Sequence, residues 1–214
     1  MRRPLVIIGA GGFGREVAWL VDEINCNEPT WELLGFADDY SSGVTVEGFN
    51  ILGGLQELLS MKPRPNVVCA IGDSLARRTV VERYAEHGFD FVTMIHPTVR
   101  RSRFVEIGPG SVICAGSILT TNVRIGSHSI LNLNCKVGHD SVLGAFSSLM
   151  PATNIAGEVR VGDGCYFGLN AAVINQVSIG DWTIIGAGAV VVNDIPSKVV
   201  AVGVPAKPIK QREL

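Results

Sequence analysis

From Ile107 to Val191 every sixth residue is Ile, Leu, Val or Phe. The series is Ile107, Ile113, Leu119, Ile125, Leu131, Val137, Leu143, Leu149, Ile155, Val161, Phe167, Val173, Ile179, Ile185 and Val191. If about a third of positions carried such residues, a run of this length would arise by chance about once in ten million starts. An α-helix repeats every 3.6 residues and a half-buried strand every two, so neither produces a period of six. Stacked hexapeptide coils do.

In such an array three hexads close one coil, and the fifteen hexads make five coils. Coils stack at about 4.8 Å, which gives a prism about 24 Å tall with the aliphatic rungs piled inside. The residue two places before each rung is small at almost every step, as at Ser111, Ser117, Ser129, Cys135, Ser141 and Ser147, which lets the chain turn a corner. Outward positions recur on the same face once per coil. One face carries Val112, Ile130, Ser148, Tyr166 and Ile184; its apolar character reads as a subunit contact. A second, with Glu106, Arg124, Val142, Arg160 and Ser178, reads as solvated. A third, with Ile118, Lys136, Asn154, Ala172 and Val190, is mixed, as a site wall would be. Repeat arrays need capping at both ends. The segment before the prism and the tail after Pro196 are available for that.

The first 96 residues have a different grammar. Leu5–Ile8, Leu33–Ala37, Val67–Ile71 and Phe91–Ile95 are short β-rich runs. Between them Gly14–Ile24, Leu55–Met61 and Leu75–His87 read as helices, the first with Val17, Leu20, Val21 and Ile24 on one face. Strands separated by helices imply a small parallel sheet, half of a Rossmann-like unit. Pro97 disfavours continuation of a regular element, so the expected division is an α/β domain over 1–96 and a parallel β-helix over 97–214.

The net charge of -2 offers nothing to nucleic acid or an anionic membrane surface. No apolar run approaches the ~20 residues of a membrane span. Met1-Arg2-Arg3 before Leu5–Ile8 has the outline of a signal peptide, but the run is too short and passes straight into Gly9–Glu16. Cys26, Cys69, Cys114, Cys135 and Cys165 are odd in number and lack metal spacing, as expected for reduced thiols in a cytoplasmic protein.

Two places carry chemistry. Gly9-Ala10-Gly11-Gly12-Phe13-Gly14 fits Gly-x-Gly-x-x-Gly after a strand and before a helix, with Asp38 about where a ribose-binding acid would stand. The literal reading is a nicotinamide enzyme. Fewer than 100 residues precede the prism, which leaves no room for two nucleotide-binding halves, and the same helix start serves equally for the diphosphate of a nucleotide sugar. A tight turn that merely needs glycine is the plain alternative. His139 and Asp140 occupy a prism corner, where neighbouring side chains can both project outward. Imidazole suits general-base catalysis at neutral pH, and a carboxylate on its second nitrogen fixes the tautomer. A surface histidine at a turn is the bland alternative. The prism holds two histidines, His128 and His139, too few for a three-histidine zinc centre, so no metal is expected. Cys135 as a covalent nucleophile is outweighed by its small-residue position in the hexad.

The hexads with Val137-Gly138-His139-Asp140 and the tail Val202-Gly203-Val204-Pro205-Ala206-Lys207 resemble the hexapeptide acyltransferases. With the Gly9–Gly14 loop, Phe36-Ala37-Asp38-Asp39, and Ala70-Ile71-Gly72-Asp73 followed by Arg77, the chain resembles a narrower group. That group holds the bacterial sialic-acid O-acetyltransferases and the bacillosamine-pathway N-acetyltransferases. The resemblance implies a left-handed β-helix, a homotrimer and acetyl-CoA as co-substrate. It implies His139 as general base supported by Asp140, and nucleotide-sugar contacts at Gly9, Gly11, Gly12, Gly14, Asp38, Asp39, Gly72, Asp73 and Arg77. It implies CoA contacts at Gly168, Gly186, Gly203, Pro205, Ala206 and Lys207, with late-coil backbone amides near the first two as oxyanion donors. Some members carry a second histidine where this chain has Ser148. The expected activity is acetylation of the amine of a nucleotide-linked amino sugar for surface glycan synthesis. Acetylation of a sugar hydroxyl is the enzymatic alternative, and a non-catalytic binding prism the alternative from another class.

Overall fold

Leu5, Val6, Ile7 and Ile8 are all buried, so their strand has no solvent face and belongs at the centre of a sheet. The computed structural model describes residues 2–39 and 43–214; Met1 lies outside them. In it β1 (Arg3–Ile8) lies between β2 (Trp31–Ala37) and a later strand, both parallel to it. α1 (Gly12–Asn27) makes the first crossover and buries Val17, Leu20 and Val21, with Ile24 half-buried. A hairpin of β3 (Thr45–Val46) and β4 (Phe49–Asn50) and the short α2 (Leu55–Ser60) precede that later strand, β5 (Asn66–Cys69). α3 (Ser74–Ala85) follows. The run at Phe91–Ile95 does not form a full fourth strand: Phe91 makes one bridge to Val67, and Met94–Ile95 is a separate short strand.

The chain divides into two compact units, Met1–Gly72 with Ala76–Pro97, and Asp73–Leu75 with Thr98–Leu214. The second unit is a parallel β-solenoid of about six turns. Each strand of the ladder is a residue pair ending on a rung, and each pairs with the strand three hexads further along, as Ile118 with Lys136 and Leu119 with Val137. From Ile113 to Val191 no rung exposes more than 5 % of its surface.

The solenoid begins before the ladder and ends after it. Arg100–Arg101 pairs with Ile118–Leu119 although an arginine stands in the rung position, so hydrophobicity gives no sign of it. Val199–Val202 continues the pile on Ile184–Ile185 after a step shorter than three hexads, which breaks the phase of the ladder. Lys207–Gln211 then turns back antiparallel to it.

The small residues do more than spare space at corners. Ser111 Oγ donates to the Gly126 carbonyl and accepts the Ser129 N–H, and Ser141 and Ser147 repeat the pattern. These hydroxyls satisfy backbone groups that are cut off from water. The face read as a subunit contact is corrected in part. Val112, Ile130 and Ser148 expose 1 % or less within the chain itself, whereas Tyr166 and Ile184 of the same face stay half-buried.

Ile155→Asp places an unpaired charge in the pile and is expected to abolish folding, whereas Ile155→Ala should cost ~2–5 kcal/mol. Arg160→Asp, on an exposed strand position, should keep the wild-type circular dichroism spectrum and denaturation midpoint within a few degrees. A folded Ile155→Asp protein would show that the rung does not face the core.

Candidate active site

The third residue after nearly every rung turns the corner in the left-handed backbone region. At one of the three corners these residues are Asn122, Asp140, Glu158 and Gln176, with φ between 54° and 62°. Asn and Asp enter that region most readily among residues with side chains, because their short polar groups bond locally. Asp140 therefore sits where the turn favours it. His139 precedes it, and the two side chains project outward together, each about half exposed. His139 Nδ1 lies 2.9 Å from Asp140 Oδ2. A carboxylate only accepts, so Nδ1–H donates and Nε2 keeps its lone pair for an incoming proton.

Asn122 donates through Nδ2 to the other carboxylate oxygen, Oδ1, at 2.9 Å. The Asn122 donor, followed by the His139 bond, holds the Asp140 carboxyl below the usual carboxylate range, since both favour its ionised form. The His139 ring lies on Gly157 of the next coil. A Cβ at Gly157 would stand 2.5 Å from Nε2 and 2.6 Å from Cε1. Glu158 N–H bonds the His139 carbonyl at 2.7 Å, which locks the backbone of the two coils together. Gly157 N–H makes no hydrogen bond among the described residues.

Asn122 and Gly157 escaped the sequence reading. Asn122 stands at the position of Asp140 one coil earlier, and Gly157 at the position of His139 one coil later. Stepping by one coil from a candidate residue was the signal available. A cavity of about 490 Å³ opens along the same corner, lined by Asp140, Asn122, Phe104, Arg103, Arg124 and Arg160 among others. The face read as solvated is mostly exposed, and it forms a charged groove that reaches Asp140. Ser148, in place of a second histidine, is fully buried.

The Gly-rich loop separates into two kinds of glycine. Gly9 has φ +102°, and a Cβ at Gly14 would run into the Gly9 carbonyl, so the fold itself requires both. Gly11 has ordinary extended backbone, and a Cβ there meets nothing within 4 Å; at Gly12 the nearest atom is the end of Arg15 at 3.9 Å. The start of α1 carries no side-chain cap. Ala10 N–H bonds Asp38 Oδ2 at 3.3 Å, which ties the end of β2 to the loop. Asp39 pairs with Arg83 at 2.7 Å. Arg77 is 1 % exposed and donates to the carbonyls of Ile71 at 2.7 Å and Gly72 at 3.0 Å, so it braces that turn from inside. A Cβ at Gly72 meets open space. Asp73 falls in the second unit, 4.0 Å from Arg212.

At the other end of the chain Val190 holds the tail. Its N–H bonds the Gly203 carbonyl, and its carbonyl accepts Ala206 N–H at 2.8 Å. Gly203 has φ +99°, and Ala206 is buried. Pro205 and Lys207 are exposed. The N–H groups of Gly168 and Gly186 are already bonded to the carbonyls of Ile185 and Ala201 in the next coil. Neither is available to CoA or an oxyanion. A Cβ at Gly168 would strike the Ala187 backbone, and one at Gly186 would come within 2.7 Å of Val202, so these glycines serve coil packing.

Cys135 is fully buried with Sγ toward the Met150 carbonyl, and burial pushes its thiol up to about 12. It is no nucleophile at neutral pH. Among the described residues no group of three His, Cys, Asp or Glu side chains could hold a metal ion.

Gly157→Ala should displace the His139 ring and lower kcat by ~10–100-fold with the thermal midpoint changed by only a few degrees. Unchanged kcat would show that the ring position does not matter. A second expectation concerns acid. The depressed carboxyl of Asp140 contributes stability above its unfolded pKa and loses it as pH falls through the folded value. The stability that the Asp140 carboxylate contributes over Asp140→Asn should therefore shrink as pH falls below about 4.

A family model for the PglD N-terminal domain matches residues 4–84. GDP-perosamine N-acetyltransferase of Escherichia coli O157:H7 is 31 % identical over 171 residues, covering 79 % of this chain and 77 % of that protein. The acetyltransferase domain of PglB from Neisseria gonorrhoeae FA1090, solved with acetyl coenzyme A, superposes with a TM-score of 0.90 at 34 % identity, covering 98 % of this chain and 100 % of that one. PerB from Caulobacter crescentus, solved with CoA and GDP-perosamine, gives 0.88 at 36 % identity over 96 % of this chain and 97 % of that one. Fold, Gly-rich loop and histidine–aspartate corner point the same way as these relatives: the chain belongs to the PglD family of hexapeptide-repeat nucleotide-amino-sugar N-acetyltransferases.

Proposed function

We propose that this enzyme, an acetyl-CoA-dependent N-acetyltransferase, uses His139 to deprotonate the amine of a nucleotide-linked amino sugar as it attacks the acetyl thioester. The observation that carries this reading is the 2.9 Å Nδ1–Asp140 bond, which leaves Nε2 as the acceptor at an exposed corner. The amine nitrogen bonds to the thioester carbonyl carbon, and Nε2 takes the amine proton. Gly157 N–H, which bonds to no group among the described residues, stabilises the oxyanion of the tetrahedral intermediate. Collapse breaks the carbon–sulfur bond, and the imidazolium returns its proton to the departing CoA thiolate. Asp140 stabilises that imidazolium.

The start of α1 takes the acceptor's diphosphate. The space above Gly11 and Gly12, which the fold does not use, supports this, as does the helix N-terminus free of a side-chain cap. Asp38 and Asp39 stand at the strand end for the nucleoside, and Arg77 shapes the neighbouring turn. Lys207 meets a CoA phosphate from the anchored tail. GDP-perosamine, the ligand of the Caulobacter relative, represents the acceptor class. The enzyme works in the cytoplasm as a homotrimer. The exposed Leu169 and Ile174 on the prism support a subunit contact, and no helix of the described residues is long and apolar enough to cross a membrane.

Thiol release from acetyl-CoA, measured against a panel of nucleotide amino sugars and free sialic acids, tests the acceptor. Release with sialic acid alone would overturn the N-transfer reading. His139→Ala should lower turnover by ~10²–10⁴ with acetyl-CoA affinity retained by calorimetry; turnover within a few-fold of wild type would remove His139 from the mechanism. Gly11→Val fits the fold but fills the phosphate space, so it should raise the KM for the nucleotide sugar at least tenfold and leave that for acetyl-CoA unchanged.

A further inference from the structure

We infer that Asn122 is a positioning residue for acetyl transfer, holding the Asp140 carboxylate from one coil away so that the His139 ring keeps its aim; this rests on His139 being the base. The geometry is specific. Asp140 uses one oxygen for His139 Nδ1 and the other for Asn122 Nδ2, both at 2.9 Å. The two bonds fix the rotation of the carboxylate about its own stem. The dyad needs such a fixture because it stands at an open corner. His139 is 57 % and Asp140 49 % exposed along the side chain, and an exposed pair held by a single bond is weak and mobile.

The second anchor comes from the coil stack rather than from the local turn. Asn122 and Asp140 occupy equivalent corner positions, and Asp140 N–H bonds the carbonyl of Thr121 at 3.0 Å. Backbone and side chain of Asp140 are therefore both tied to the same corner of the preceding coil. Asn122 adopts φ 54°, which asparagine tolerates for local reasons alone. An explanation by turn preference accounts for the residue type. It leaves the direction of the amide, toward the catalytic carboxylate, unexplained. Asn122 also lines the cavity beside Asp140, and its side-chain amide does not titrate near neutral pH, so it is no general base in its own right.

The test is a double-mutant cycle in the full chain. Asn122→Gly keeps the left-handed turn, since glycine adopts it freely, and removes only the amide. It should lower kcat about tenfold, leave the KM for acetyl-CoA within twofold, and leave the thermal midpoint nearly unchanged. In an Asp140→Ala background the same substitution should change kcat by less than twofold, because the group it acts through is gone. An equal loss in both backgrounds would assign Asn122 a general structural role and overturn the inference. So would no loss in the wild-type background. His139→Ala, measured alongside, separates the two ideas: a fully active His139→Ala enzyme defeats the reading of the base, whereas a full tenfold loss from Asn122→Gly on top of the lowered His139→Ala turnover defeats the role of Asn122 alone.

Discussion

Everything at the corner of His139 and Asp140 depends on the parallel pairing of coils at a spacing of three hexads. Each short strand is bonded to the strand one coil away with no shift of register, as in Lys136 with Asn154 and Val142 with Arg160. That register makes columns, and a column brings together residues that are remote in the chain. Asn122 reaches Asp140, and Gly157 comes under the ring of His139, through nothing more than this repeat. The aliphatic rungs set the register. A one-residue slip would turn buried rungs outward and polar neighbours into the core, and burial of apolar surface is the main force acting against it.

Three corners share one backbone conformation but carry different chemistry. The corner of Asn122, Asp140, Glu158 and Gln176 is polar and hydrogen-bonded between coils, with Gln176 Nε2 donating to Glu158. A second corner holds His128 and Phe146, whose rings stack at 5.1 Å and 12°, and the ring of Trp182 over Gly164. Aromatic residues reach the left-handed region at some cost in backbone energy. Ring stacking along the column offsets it, and a glycine lies next to the largest ring, where any side chain would collide. The third corner is built from Gly116, Asn134, Ala152, Asn170 and Gly188, residues with little reach. Of the three corners, the one that holds Asp140 has its polar side chains hydrogen-bonded to one another from coil to coil, Asn122 to Asp140 and Gln176 to Glu158.

The glycine-rich loop teaches a related distinction. Gly9 and Gly14 are required by backbone conformation and by the approach of helix to strand. Gly11 and Gly12 are required by neither. A glycine that the fold does not need, placed at an uncapped helix start, is better evidence for an approaching ligand than the motif as a whole. The reverse holds at Gly168 and Gly186, whose amides bond the next coil and whose missing side chains make room for it. A motif in the sequence does not separate these cases.

Hydrophobic period and glycine spacing by themselves determined the solenoid, its separation from a parallel α/β sheet, the corner placement of His139 beside Asp140, and a helix after the Gly-rich loop, read from Gly14 where the structure starts it at Gly12. These are local or strictly periodic properties, and a linear chain displays them. The limits of the solenoid were invisible, because Arg101 stands in a rung position and the last step falls short of three hexads. Only the tertiary structure decided that Val112, Ile130 and Ser148 are covered within the chain, since an apolar outward position does not say what covers it. Only the structure decided that Arg77 is an internal brace and that Asn122 and Gly157 complete the corner. The partners of a side chain across coils depend on the direction it takes in space, and direction is set by packing rather than by residue type.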